Sequence, residues 1–240
     1  MVKIAILLTT YNKGFSNSNE KRSHIYDDVI KWWIYNTPYT IFVTESSNTK
    51  FDKIIESNAF VYHFDQNEDV TLQNCRSIDR FKSTAESISV HNCFNKFKDK
   101  LLNFDFIFKV TGKYKFVNLP DIIDNIGPSI LSYDFIRQNG ESRAKEHNQP
   151  GWGTNFWVST EIIGFKPKYL LQDFYKFTNY NIEHSTYDYI YKSDKKYKVY
   201  TMPTVFNIAK WYKQKREIWK EFFTYNKLNT TYVTKRKFTL

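Results

Sequence analysis

Cysteine is almost missing from this chain: Cys75 and Cys93 are its only two in 240 residues. Two are too few for a disulfide framework, and neither has the partner cysteine that a zinc site needs. A reducing compartment is the simpler setting. Long apolar runs are missing too. The run near the start, Ile4 to Leu8, is far too short for a signal sequence or a membrane span. The mean hydropathy of -0.58 points the same way. There is no internal repeat, no low-complexity tract and no convincing linker. A chain of this length makes one large domain or two small ones, and buries roughly 70–75% of the surface its unfolded form exposes. It needs no covalent or metal staple.

Aromatic residues are abundant instead, at 19%, with 21 Phe and 18 Tyr beside only 7 Gly. Lys, Asn and Ile are also plentiful. The codons for all five frequent residues are AT-rich, so much of the aromatic excess is mutational bias. The net charge of +10 is partly the same bias. It still sets a field that favours anionic partners such as nucleotides and phosphates.

The pattern alternates strand and helix from the N-terminus. Lys3 to Thr10 reads as a buried strand running into the polar loop Thr9-Thr10-Tyr11-Asn12-Lys13-Gly14. A helix over Asp27–Tyr35, a strand over Tyr39–Val43, a short helix over Phe51–Ser57 and a strand over Ala59–Phe64 follow. A longer helix spans Thr84–Leu102, and Phe104–Val110 is apolar enough for a central strand. This order predicts an α/β fold with a mostly parallel sheet. The second half is less regular. It predicts a helix over Leu119–Ile126 opened by Pro120, strands over Ser129–Arg137 and Asn155–Ser159, and a mobile loop over Gln138–Gly153. Helices over Lys168–Thr178, Ile182–Lys192 and Ile208–Phe223, a strand over Lys196–Thr201 and a poorly ordered end complete the reading.

In such sheets ligands sit beyond the carboxyl ends of the strands. Three polar segments fall there: Thr9–Asn12, Glu45–Asn48 and Thr111–Tyr114. Three ordinary connecting loops would read the same.

Two blocks then point to a family. Ile6-Leu7-Leu8-Thr9-Thr10-Tyr11-Asn12 resembles the first strand and nucleotide loop of GT-A type glycosyltransferases. The order Ser83-Thr84-Ala85-Glu86-Ser87, then an apolar strand, then Lys109-Val110-Thr111-Gly112-Lys113-Tyr114 resembles small glycosyltransferases of bacterial and large-DNA-virus surface-glycan clusters. The resemblance runs from about Val2 to Tyr200. It implies a GT-A-like, Rossmann-related mixed sheet flanked by helices in a single domain, taken here as residues 1–225 with a tail at 226–240. It implies transfer of a sugar from a nucleoside diphosphate sugar to a hydroxyl of a glycan, lipid-linked or protein acceptor, in glycan biosynthesis in the cytoplasm.

One departure matters. Such enzymes usually hold a divalent cation, Mn or Mg, with an Asp-x-Asp at the end of that strand, and this chain has none anywhere. Thr111-Gly112-Lys113 stands in its place. Lys109 and Lys113 could neutralise a departing diphosphate without a metal, and Gly112 would let the backbone approach the phosphates. Lys109 could equally pair with a neighbouring carboxylate. Asp105 remains a lone carboxylate within the strand.

The resemblance places Thr9, Tyr11 and Asn12 at base and ribose, with Glu45 and Ser46 beside them. Arg80 and Lys82 become further diphosphate candidates, and Asp79 a partner for a sugar hydroxyl. An inverting transfer also needs a base. Glu183 and Glu161 are both open, and a retaining transfer needs neither. Trp152, between Gly151 and Gly153, is the candidate for stacking on an acceptor sugar. The Lys210–Lys220 segment suits either packing on the domain or a peripheral contact with anionic lipid. A non-enzymatic nucleic-acid-binding protein is the competing class, but the basic residues are dispersed and no recognition motif appears, so no nucleic acid is expected.

Overall fold

The computed structural model describes residues 2–12, 20–74, 78–138, 160–172, 174–175 and 182–202. Of the loop expected over Gln138–Gly153, Gln138 belongs to a strand instead, and the rest with Trp152 lies outside the described residues, as do the strand at 155–159, the helix at 208–223, the tail at 226–240 and Cys75.

One seven-stranded sheet organises the described chain. Its strands are β1 (Ile4–Thr10), β2 (Thr40–Glu45), β3 (Phe60–His63), β4 (Phe106–Thr111), β5 (Phe135–Gln138), β6 (Ile162–Phe165) and β7 (Val199–Met202), in the spatial order β3-β2-β1-β4-β6-β5-β7. β6 runs antiparallel to both neighbours, and every other pairing is parallel. The expected mixed, mostly parallel α/β sheet is therefore what forms. The apolar run of β4 lies fourth of seven, at the centre, as its composition predicts.

Alternation along the strands builds two apolar layers. Ile4, Ile6, Leu8, Phe106, Phe108 and Val110 face helices α1 (Glu20–Asn36) and α6 (Leu119–Ile126). Ala5, Leu7, Phe42 and Ile107 face α4 (Ile78–Lys96), which brings Val90, Cys93 and Phe94 onto them. Burial pushes the Cys93 thiol far up, so it stays protonated and packs as a small apolar group. Three short helices, α2 (Lys53–Asn58), α3 (Val70–Gln73) and α5 (Lys98–Leu101), fill the connections. Asp52 caps α2 by accepting from the amides of Ile54 and Ile55 at 3.0 and 3.1 Å. Pro120 opens α6, and Gly127, at φ 56°, ends it.

The less regular half departs from expectation. Ser129–Arg137 is not one strand: a 3₁₀ turn over Gly127–Ser132 precedes β5. A second 3₁₀ turn, Pro167–Gln172, takes part of the helix expected over Lys168–Thr178. The helix starting at Ile182 does form, as α7 (Ile182–Tyr191). The long helix starts earlier than expected, at Ile78, and stops at Lys96. Among the described residues no helix is long and apolar enough to cross a membrane.

Candidate functional site

Strand register gathers the polar segments onto one edge. Thr10 lies opposite Glu45 and Thr9 opposite Thr111. The Gly112 amide donates to the Thr9 carbonyl at 2.8 Å, and the Ser46 amide and hydroxyl donate to the Thr10 carbonyl at 3.1 and 3.0 Å. Because β6 is antiparallel, its beginning comes to the same edge, where the Thr111 amide donates to the Glu161 carbonyl at 2.9 Å. The loops after β1, β2 and β4 and the approach to β6 thus share one rim. A further tie holds it to the core: buried Trp33 donates Nε1–H to the Tyr114 carbonyl at 3.0 Å.

Glu45 is turned inward. It is fully buried, and its oxygens accept from the amides of Asn12, Ser47 and Thr49 and from the Ser47 hydroxyl, at 2.6–3.1 Å. Its acceptor capacity is spent on holding two loops together, so it shapes the rim rather than presenting a carboxylate there. Asn12 gains most from this. Its backbone is held by Glu45 and by the Ser47 hydroxyl at 3.2 Å, while both polar atoms of its side chain, at 6% exposure, meet no hydrogen-bond partner. A buried primary amide with nothing to bond is costly, and a ligand edge with a donor and an acceptor would satisfy it.

Lys109 is also turned inward, which corrects its expected phosphate role. Strand alternation aims it at α4, where it forms an ion pair with Glu86 and is fully buried. Its Nζ also donates to the Thr160 carbonyl at 2.6 Å and the Thr111 hydroxyl at 3.2 Å. Three acceptors use its three protons. Glu86 receives a further bond from the Tyr175 hydroxyl at 2.6 Å. Tyr175 sits at φ 67°, and its carbonyl accepts from the Ser87 hydroxyl of α4 at 2.7 Å. Burial, then the Glu86 charge, push the Tyr175 phenol well up. Sequence reasoning missed Glu86, Tyr175 and Thr160.

Glu183, at the start of α7, closes this group. The Thr160 hydroxyl donates to its Oε1 at 3.1 Å. Burial, then the Glu86 charge, raise its carboxyl above the usual range. Glu161 lies on the rim, directly before β6, and the strand expected ahead of it lies outside the described residues. His91 of α4 faces the Phe174 carbonyl at 3.0 Å, which pins the same turn from its other side.

Gly112 serves the sheet. A Cβ there would stand 2.4 Å from Thr10 Cγ2 and 2.7 Å from the Thr9 carbonyl oxygen, so the missing side chain lets β1 and the loop after β4 close up. Lys113 is exposed on the rim, its Nζ 4.9 Å from the Tyr114 ring centroid. Lys82 is exposed on α4; the helix also holds Asp79 and Arg80, whose side chains lie outside the description. Asp105 is at the opposite edge, just before β4, accepting from the Lys3 amide at 2.7 Å. Among the described residues no three His, Cys, Asp or Glu side chains group as metal ligands. With Glu86 paired to Lys109 and Asp105 remote, the described residues do not fit the divalent cation that the resemblance implies.

No family model matches this chain, and no curated protein is similar to it. Solved structures are. A protein described as a nucleotide-diphospho-sugar transferase from Desulfovibrio desulfuricans G20 is 9% identical, covering 85% of this chain and 80% of its own, at a TM-score of 0.48. A glycosyltransferase involved in glycosylation of the major capsid of PBCV-1 is 10% identical over 83% and 82%, at 0.43. The 4-diphosphocytidyl-2C-methyl-D-erythritol synthase of Anaerococcus prevotii is 13% identical over 95% and 99%, at 0.45.

Proposed function

We propose that this protein is a glycosyltransferase that moves a sugar from a nucleoside diphosphate sugar to an acceptor hydroxyl, with Glu183 as the base. The observation that carries this is the half-buried Glu183 carboxyl, raised above its usual range and linked through Thr160 to the rim that ends β4. A base whose pKa approaches the working pH accepts a proton well and still releases it.

In the proposed reaction Glu183 takes the acceptor proton as the acceptor oxygen bonds to the anomeric carbon. The bond from that carbon to the diphosphate oxygen breaks, and the diphosphate leaves with the electron pair. Exposed Lys113 meets the growing negative charge. The Asn12 amide, with Tyr11 and Thr9 beside it, supplies polar contacts to the nucleoside. Trp152, Asp79, Arg80 and Lys82 remain proposed contacts for acceptor and donor, as does a lipid-linked acceptor approached along a membrane surface.

Calorimetry with UDP- and GDP-sugars tests the reading, with and without Mn²⁺. Micromolar to millimolar binding by wild type that Asn12→Ala weakens is expected. Absence of binding at millimolar concentration overturns it.

A further inference from the structure

Lys109 and Glu86 pair beneath the rim rather than on it. Their arrangement still has a job, because the lysine touches Thr160, whose hydroxyl holds Glu183. Lys109 Nζ grips the Thr160 carbonyl at 2.6 Å, and the hydroxyl of the same threonine donates to Glu183 Oε1 at 3.1 Å. Thr160 stands two residues before β6, where the Thr111 amide already holds the Glu161 carbonyl. The lysine fixes the carbonyl of Thr160 itself, and with it the direction in which the threonine hydroxyl points. The lysine in turn is fully buried, and an unpaired ammonium there would lose its charge or leave. Glu86 prevents that, and it is itself held by the Tyr175 hydroxyl at 2.6 Å.

We propose that Lys109 is a positioning residue for Glu183, acting through Thr160, with Glu86 as the counter-ion that fixes Lys109. This rests on the reading of Glu183 as the base. Besides burial, the environment of that carboxyl is set by Glu86 from α4, the backbone amide of Glu183 itself, the Thr160 hydroxyl and Lys109 from β4, with the Tyr175 phenol bonded to Glu86 beside them. His184 is its neighbour on α7. Glu86 raises the Glu183 carboxyl, while Thr160 and Lys109 lower it. Loss of the lysine or of the hydroxyl therefore shifts it up, and loss of Glu86 alone shifts it down.

The test separates position from charge. The Glu183 carboxyl is titrated by NMR with ¹³C-labelled glutamate, assigned by its loss in Glu183→Gln. Thr160→Val is expected to raise the midpoint by roughly one pH unit, and Thr160→Ser to restore it. Lys109→Met raises it as well. The double variant Lys109→Met with Glu86→Gln removes one charge of each sign, so the direct charge effects oppose each other. It also replaces an ion pair by a neutral pair, a change that buried sites often tolerate. If Lys109 positions Thr160, the double variant still shifts up, toward Thr160→Val. A folded double variant with the wild-type midpoint overturns the proposal. With whichever UDP- or GDP-sugar binds, the acid limb of kcat/KM should move up in step while donor KM stays within about twofold. A Glu183→Gln variant that turns over normally would sink the base assignment alone and leave the titration result standing.

Discussion

Glu45 Oε1 accepts the backbone N–H of Asn12 at 3.1 Å, so the end of β2 holds the loop that leaves β1. Glu45→Ala would take an acceptor from the amides of Asn12, Ser47 and Thr49, of which Asn12 keeps the Ser47 hydroxyl and Thr49 is only partly buried. A stranded buried group costs about 1–3 kcal/mol, and a loss in that range is expected in urea unfolding. Glu45→Gln keeps the volume and one acceptor oxygen and should lose less. Equal stability of Glu45→Ala and wild type would show that the carboxylate does not hold the rim.

Lys113 makes the opposite demand. It is exposed, so Lys113→Ala should change stability by no more than about 0.5 kcal/mol. If it faces a leaving diphosphate, its removal slows transfer by about a hundred- to a thousandfold. Lys113→Arg keeps the charge with a different shape and should retain part of the rate. Melting curves beside transfer rates decide it, and full activity in Lys113→Ala removes the phosphate role.

Glu183 couples activity to stability against pH. Its folded pKa is raised above the reference 4.5, so the native state binds its proton more readily than the unfolded chain. The resulting stability is fully present below 4.5 and is lost as pH rises through the raised value. Glu183→Gln has no such proton to lose. At neutral pH it should be at least as stable as wild type, with the difference shrinking below the reference value, while transfer is lost. Denaturant titrations across pH check this, and a variant less stable than wild type at pH 7 would contradict it.

Gly112→Ala tests the close approach of β1 to the loop after β4. The new methyl would meet backbone as well as the Thr10 side chain, and neither can yield freely inside a paired strand. A loss of about 1–3 kcal/mol is expected in thermal or urea unfolding. A neutral result would mean that the rim is softer than its hydrogen bonds imply.

Much of this was legible in the sequence. Apolar runs buried on both faces announced β1, β2 and β4, and Pro120 announced α6. β6 was missed because four residues, Ile162–Phe165, leave too short a pattern between the preceding polar stretch and Pro167. The 3₁₀ turn over Gly127–Ser132 was misread because Ile130 and Leu131 continue toward the apolar start of β5. Thr9, Asn12, Ser46, Thr111 and Glu183 could be named from their places after strands or at a helix start. The inward turn of Glu45 and Lys109 could not, since it depends on partners that only the fold supplies. Lys109 and Glu86 are 23 residues apart, on a strand and the helix crossing it. The available signal was a lysine inside an otherwise apolar strand.

The reversed direction of β6 carries a further consequence. β5 ends at Gln138 on the polar rim of the sheet, and the described chain resumes at that rim at Thr160. Departure and return stand on adjacent strands locked by their own pairing. Lineages could lengthen, shorten or rewrite the stretch between these two anchors without disturbing sheet register or the Glu183 support. Variation in that stretch is thereby separable, in evolution and in protein engineering, from the pairing of β5 with β6 that holds the sheet.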